Sequence, residues 1–187
     1  KMVDGAIFTR APKSKRNTAL FVTGSDMAEG EALLNAIRNH FFDDFRVSVM
    51  LDSNGSNTTA AAAVAFARQH VEIKGKRAVI LAGTGPVGQR AGLMLAKEGA
   101  DVVLTSRKLL RAKGACDAMQ RTLGIGGIEM SDRGKERHGK ICYGALGFGG
   151  FKLEIQRACI AKLFETTENV FDALEIYQIA KEMKGIA

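Results

Sequence analysis

The chain has 187 residues, 46% of them hydrophobic and 25% charged, which is ordinary globular composition for one large domain or two small ones. The formal net charge is +7 with 6% aromatic residues, and the cations are spread along the chain with few aromatics among them, which argues against nucleic acid and for anionic small molecules. Neither a membrane span nor a signal peptide is expected. The odd set Cys116, Cys142 and Cys159 has no metal-like spacing, so reduced thiols, a cytoplasmic location and no metal site are expected.

Ala19–Val22 reads as a buried strand ended by Thr23 and Gly24. Asp26, with Glu29 three residues on, resembles a capping box. The helix it opens carries Met27, Leu33, Leu34, Ile37 and Phe41 on one face. Phe45–Met50 alternates as a half-buried strand. A polar run from Asp52 to Thr59 follows, in which Asn57 or Thr58 can cap a small-sided helix beginning near Thr59. Spacing alone fits a loop and a cap. A loop at a strand end is also a favoured place for ligand groups, and Asp52, Asn54, Ser56 and Thr58 make this one dense in donors and acceptors.

Lys74–Lys108 organises the chain. After a basic turn, the apolar run Ala78–Ala82 leads straight into Gly83-Thr84-Gly85-Pro86-Val87-Gly88. A helical pattern with Ala91, Leu93, Met94, Leu95 and Ala96 is closed by Gly99. A second apolar run, Val102–Leu104, then ends in Thr105-Ser106-Arg107-Lys108. Strand, G-x-G-x-x-G, helix, strand is the order of a dinucleotide fold. Gly83 allows the tight turn, Gly85 lets a pyrophosphate approach the backbone, and Gly88 permits close helix packing, while the helix N-terminus offers free N–H groups to phosphates. An NAD site usually carries an acid about 20 residues past the loop. Here Thr105, Ser106, Arg107 and Lys108 stand in its place, with Arg111 about one turn on. Hydroxyls and a guanidinium suit a 2′-phosphate, so NADP is the expected cofactor, although such a charge run also fits a solvated helix start.

Leu109–Met119 reads as the next helix. Beyond it lie a glycine-rich apolar stretch, Leu123–Ile128, a charged loop, Ser131–Lys140, and a second glycine-rich stretch, Gly144–Gly150. A helix from about Phe151 places Phe151, Ile155, Cys159 and Leu163 at spacing four. A last amphipathic helix spans about Val170–Met183, with Leu174, Tyr177 and Ala180 inward. Between Lys74 and Gly150 two strands are clear and no third βα unit is obvious, so the nucleotide fold is expected to be short.

Several runs together resemble the NADP-dependent methylene-tetrahydromethanopterin dehydrogenases of methylotrophic bacteria. They are Val3-Asp4-Gly5 with Thr9-Arg10, FRVSVMLDSNGSNTTAAA, GKRAVILAGTGPVGQRAG, GALGFGGFKLEIQRACIAKLFE and FDALEIYQIAKEM. Family members have a longer N-terminus, and further strands and helices between the positions matching Thr122 and Leu123. The resemblance implies a two-domain α/β protein: an N-terminal α/β substrate domain (1–70), a shortened Rossmann-type domain with a parallel sheet (71–147), and C-terminal helices (148–187) packing back on the first. It implies hydride transfer from a methylene-tetrahydropterin, of the methanopterin or folate type, to NADP, in a homo-oligomer without metal or flavin. It places Asp52, Asn54, Ser56 and Thr58 on the pterin side, and Lys152, after Gly149 and Gly150, in the family's functional lysine position. A non-catalytic NADP-binding or assembly subunit, and another two-domain Rossmann reductase, stay open beside this.

Overall fold

The computed structural model describes residues 1–123, 128–131 and 169–183, with residues 155, 158, 159, 161 and 162 between them. In chain order the elements are α1 (Met2–Phe8), α2 (Pro12–Lys15), β1 (Ala19–Val22), α3 (Met27–His40), β2 (Ser48–Leu51), a 3-10 turn (Ser53–Gly55), α4 (Ser56–His70), β3 (Arg77–Ile80), α5 (Pro86–Lys97), β4 (Asp101–Thr105), α6 (Leu109–Leu123), β5 (Ile128–Ser131), β6 (Val170–Phe171) and α7 (Ala173–Glu182). The chain divides into two compact units. One comprises Lys1–Thr58 and Gly150–Ala187, the other Thr59–Gly149.

The first unit holds a parallel sheet in the order β1-β2-β6. All four residues of β2 are buried. Successive side chains of a strand point to opposite faces, so both faces of β2 are covered. This replaces the expected half-buried alternation and shortens the strand to its last residues. Among the described residues β1 is an edge strand, with Val22 buried but Phe21 50% exposed, where a buried strand was expected. On α3 the Asp26 carboxylate accepts from the Ala28 and Glu29 N–H groups. Gly30, Leu34 and Ile37 form its buried stripe. Leu33, expected on that face, lies about 100° from Leu34 around the helix and is half exposed. Val22, Leu34, Ile37, Val49 and Leu51 make the core, with Val3, Leu20, Phe41 and Val170 against it.

The chain's last described part differs from a single helix. Val170–Phe171 pairs with β2. A capping box at Asp172 then opens α7, with the Glu175 carboxylate accepting from the Asp172 N–H. Tyr177 and Ala180 are buried as expected, with Ile176 and Ile179 beside them, and Leu174 is only half-buried. Ile155 and Cys159 are buried helical residues; Phe151 and Leu163 lie outside the described residues.

The second unit runs β3-α5-β4-α6-β5, with a parallel sheet in the order β3-β4-β5. The third strand, β5, was not expected. With it the unit is one full βαβαβ half of a Rossmann sheet. Val102, Val103 and Leu104 of β4 are buried, each contributing about 1.5–3 kcal/mol by burial. Leu93 and Met94 of α5 and Ala112, Cys116 and Met119 of α6 are buried. β3 is the sheet's edge among the described residues, and Val79 on it is 56% exposed.

Gly30 tests the packing of the first unit. A Cβ added there would run into Ser53 Oγ, with Leu51 Cδ1 at 3.1 Å. Gly30→Ala is expected to destabilise the protein by about 1–3 kcal/mol in urea unfolding, as overpacking does. Ser53→Ala in the same chain removes the blocking oxygen and should recover most of the loss. A Gly30→Ala protein as stable as the unsubstituted one would show that α3 does not pack on the 3-10 turn in this way.

Candidate functional site

Two polar clusters follow the C-terminal ends of parallel strands. The first follows β2. Asp52 is buried, and its Oδ1 accepts from the Asn57 N–H at 3.0 Å and the Thr58 N–H at 3.2 Å. The Thr58 hydroxyl donates to Asp52 Oδ2 at 2.8 Å. Asp52 therefore caps α4, which begins at Ser56, three residues before the expected start, and neither Asn57 nor Thr58 is the cap. Ser56 Oγ donates to Ser53 O at 2.7 Å, and Asn57 Nδ2 to Leu51 O at 2.7 Å.

Asp52, Ser56 and Thr58 are thus buried and engaged in holding the turn. Asn54 is the exposed one of the four candidates, at the tip of the turn with φ 53. Asn tolerates this left-handed backbone better than most residues. Ser53 Oγ and Asn57 Oδ1 are buried without a hydrogen-bond partner among the described residues. Such atoms cost about 1–3 kcal/mol each unless water or a ligand meets them. Asn57 stood out only as a helix cap, and Ser53 not at all. Their signal was only that they stand in the same run.

Cys159 lies in the field of Asp52, and no spacing rule could have placed it there. It is fully buried, and burial together with the negative charge of Asp52 pushes its thiol up to about 12. Lys152 lies outside the described residues.

The second cluster follows β3. Ala82 has φ 53, a left-handed backbone that costs a residue with a Cβ about 1–2 kcal/mol. The expected tight turn thus falls on Ala82, and Gly83 is small for a different reason. A Cβ at Gly83 would stand 2.7 Å from Leu104 Cδ2, and one at Gly88 would stand 2.7 Å from the Gly83 backbone. The first turn of α5 therefore rests directly on the loop. A Cβ built on Gly85 meets nothing within 4 Å, so the loop presents open space there. That space lies at the N-terminus of α5, where Gly85 is the cap residue without a side-chain hydrogen bond and Pro86 is the first helical residue. Unpaired N–H groups and the positive end of the helix dipole make such a place fit for a phosphate. Thr84 O accepts from Gln89 Nε2 at 2.8 Å, and Val87 is 38% exposed.

At the end of β4, Thr105 is turned back to this loop. Its Oγ1 accepts from the Ala82 N–H at 3.1 Å and lies 3.4 Å from Ile80 O, while its carbonyl accepts from the Gly83 N–H at 3.1 Å. Ser106 is half-buried; Arg107, Lys108 and Arg111 are exposed. Arg107 and Lys108 make no side-chain hydrogen bond or ion pair among the described residues. Among the described residues no group of three or more His, Cys, Asp or Glu is placed to hold a metal ion, and no helix is long and apolar enough to cross a membrane.

A parallel βαβαβ sheet with this loop between β3 and α5 defines a Rossmann-type α/β protein. Residues 1–54 match the family model for the N-terminal part of methylene-tetrahydromethanopterin dehydrogenase. The chain is 46% identical, over 242 aligned positions, to the Bifunctional protein MdtA of Methylorubrum extorquens AM1, covering 97% of this chain and 84% of that protein. It is 35% identical over 109 positions to an NAD(P)-dependent methylenetetrahydromethanopterin dehydrogenase of the same organism, covering 55% of this chain and 37% of that one. The chain belongs to the methylene-tetrahydromethanopterin dehydrogenase family. The first alignment is longer than the chain's own 187 residues, so that relative carries internal residues without a counterpart here.

The thiol at Cys159 gives a pH test. A pKa raised on folding stabilises the native state fully below the thiol's ordinary value of 9.0, and the advantage is lost as pH rises towards about 12. The stability difference between the unsubstituted protein and Cys159→Ala should be constant below pH 9.0 and then shift in favour of Cys159→Ala across that window. A difference that stays flat through the window would mean that the thiol is not buried within the field of Asp52.

Proposed function

We propose that this chain is an NADP-dependent dehydrogenase that takes a hydride from a methylene-tetrahydropterin, of the methanopterin or folate type, and leaves the methenyl form. The observation that carries the reading is family membership combined with an open glycine loop at the start of α5. A relative named as an NAD(P)-dependent methylenetetrahydromethanopterin dehydrogenase supports the substrate and cofactor class.

In this reading Gly83, Thr84, Gly85, Pro86, Val87 and Gly88 hold the pyrophosphate. Ser106, Arg107 and Lys108 receive the 2′-phosphate, because no acid stands where NAD would need one. The exposed Arg107 and Lys108, without a side-chain partner among the described residues, favour this. Asn54 faces the pterin, while Asp52, Ser56 and Thr58 fix the turn that carries it. Lys152 orients the pterin. The acceptor's nicotinamide supplies the hydride chemistry, and the protein's part is to place the donor carbon and exclude water. Cys116 and Cys159 are buried free thiols, which suits a cytoplasmic location. Apolar side chains exposed on the edge strands, Phe21 at 50% and Val79 at 56%, suit a homo-oligomer.

A second reading, a non-catalytic NADP-binding subunit, is favoured by the relative's extra internal residues. Turnover of methylene-tetrahydromethanopterin with NADP separates the two: reduced dinucleotide should accumulate in the first, while binding without turnover would support the second. Arg107→Ala should weaken NADP roughly tenfold to a hundredfold more than NAD, the size of a lost charge-assisted contact. Equal losses would remove Arg107 from the 2′-phosphate. Lys152→Met should lower turnover by at least ~100-fold with NADP affinity unchanged, and near-normal turnover would exclude the positioning role.

A further inference from the structure

We propose that Thr105 is a latch on the glycine loop: from the end of β4 it holds Ala82 and Gly83 in the turn that presents the loop to a dinucleotide, and it makes no contact with the 2′-phosphate. The proposal rests on the dinucleotide reading above and assigns Thr105 a positioning role within it.

The β3·β4 ladder ends at the pair Ile80–Leu104. Beyond that pair β3 leaves the sheet, and Thr105 takes over both connections: Oγ1 accepts from the Ala82 N–H at 3.1 Å and the carbonyl accepts from the Gly83 N–H at 3.1 Å. The residue between Leu81 and Gly83 is the one that needs holding. Ala82 sits at φ 53, where a side chain with a Cβ is disfavoured, so the turn does not persist on local preference alone. Gln89 secures the other side of the loop through Thr84 O at 2.8 Å. The Thr105 latch and the Gln89 bond hold the backbone on both sides of Gly83.

The proton inventory of the hydroxyl separates a latch from a ligand contact. A threonine hydroxyl has one O–H and two lone pairs. Here one lone pair receives the Ala82 N–H, and Ile80 O, 3.4 Å away, is the acceptor that the O–H can face inside the turn. A phosphate dianion requires a donor, and a hydroxyl turned to Ile80 O has no second proton to give it. A latch on the pyrophosphate loop acts on NADP and NAD alike, whereas a contact to the 2′-phosphate would act on NADP alone.

The test compares Thr105→Val with Thr105→Ser by fluorescence titration of NADPH and NADH and by amide hydrogen exchange without ligand. Thr105→Val should weaken both dinucleotides by the same factor, about fivefold to tenfold, as the loss of one hydrogen bond predicts. It should also speed exchange at Ala82 and Gly83 while leaving Val102–Leu104 unchanged. Thr105→Ser should restore both readouts. On an Ala82→Gly background, where the left-handed turn no longer strains, the loss from Thr105→Val should shrink to less than half of its value. If Thr105→Val does not fold, Thr105→Ala carries the same comparison. A loss confined to NADPH, or unchanged exchange at Ala82 and Gly83, overturns the latch. Should the unsubstituted protein bind neither dinucleotide, the functional reading above fails, and hydrogen exchange alone then decides whether the latch exists.

Discussion

Parallel pairing constrains the sheet connections among the described residues. A parallel strand cannot return through a tight hairpin; its chain must cross over, here through a helix. β1 reaches β2 through α3, β3 reaches β4 through α5, and β4 reaches β5 through α6. The polypeptide therefore leaves each of these strands at its C-terminal end and must turn into a helix within a few residues. Helix starts carry unpaired N–H groups, so polar and glycine residues collect there. Asp52 after β2 and the loop after β3 are two solutions to that one problem. The first fills the helix start with the chain's own carboxylate. The second leaves it without a side-chain cap, and an uncapped start suits a bound anion.

The same constraint explains why the polar run after β2 contains more candidates than exposed groups. A buried carboxylate is costly unless it is hydrogen-bonded. Asp52 is stabilised by two backbone N–H groups and the Thr58 hydroxyl. Those bonds draw Thr58 inward, Ser56 turns in to Ser53 O, and Asn54 is left at the tip. Residue type alone could not separate the groups that build such a turn from the group that the turn displays. The choice depends on which side chains the backbone can reach, a property of the folded chain.

Much of the fold was legible because it depends on patterns a few residues long. The apolar run Val102–Leu104 is a buried strand, Asp26 is a helix cap, and Gly83–Gly88 lies between a strand and a helix. Pattern and structure part where the outcome depends on neighbours in space. Whether Phe45–Met50 is half-buried depends on its place within a sheet; only its last residues join the strand, and there it is the central one. Val170–Phe171 is a strand because β2 offers it an edge. β5 was hidden because its four residues stand between a glycine-rich stretch and a charged one. At the glycine loop the turn was placed on Gly83 because glycine is the usual bearer of a left-handed backbone. The molecule places it on Ala82 and holds it from β4.

Cofactor discrimination, on this account, carries little cost for the fold. Arg107 and Lys108 are exposed and make no ion pair among the described residues. A solvated cation contributes almost nothing to stability, because water screens it and its side chain keeps its freedom. Against a phosphate dianion at a water-poor site the same charge becomes strong, since the local dielectric falls and the hydrogen bonds are charge-assisted. The loop works the other way. Its shape is set before any ligand arrives, by Thr105, Gln89 and the contact of Gly88 with Gly83. A preorganised backbone and exposed cations would thus divide the work. On the proposed function, the N–H groups of the held loop would receive the pyrophosphate, and the exposed charges of Arg107 and Lys108 would then favour the dinucleotide that carries a phosphate at the 2′ position.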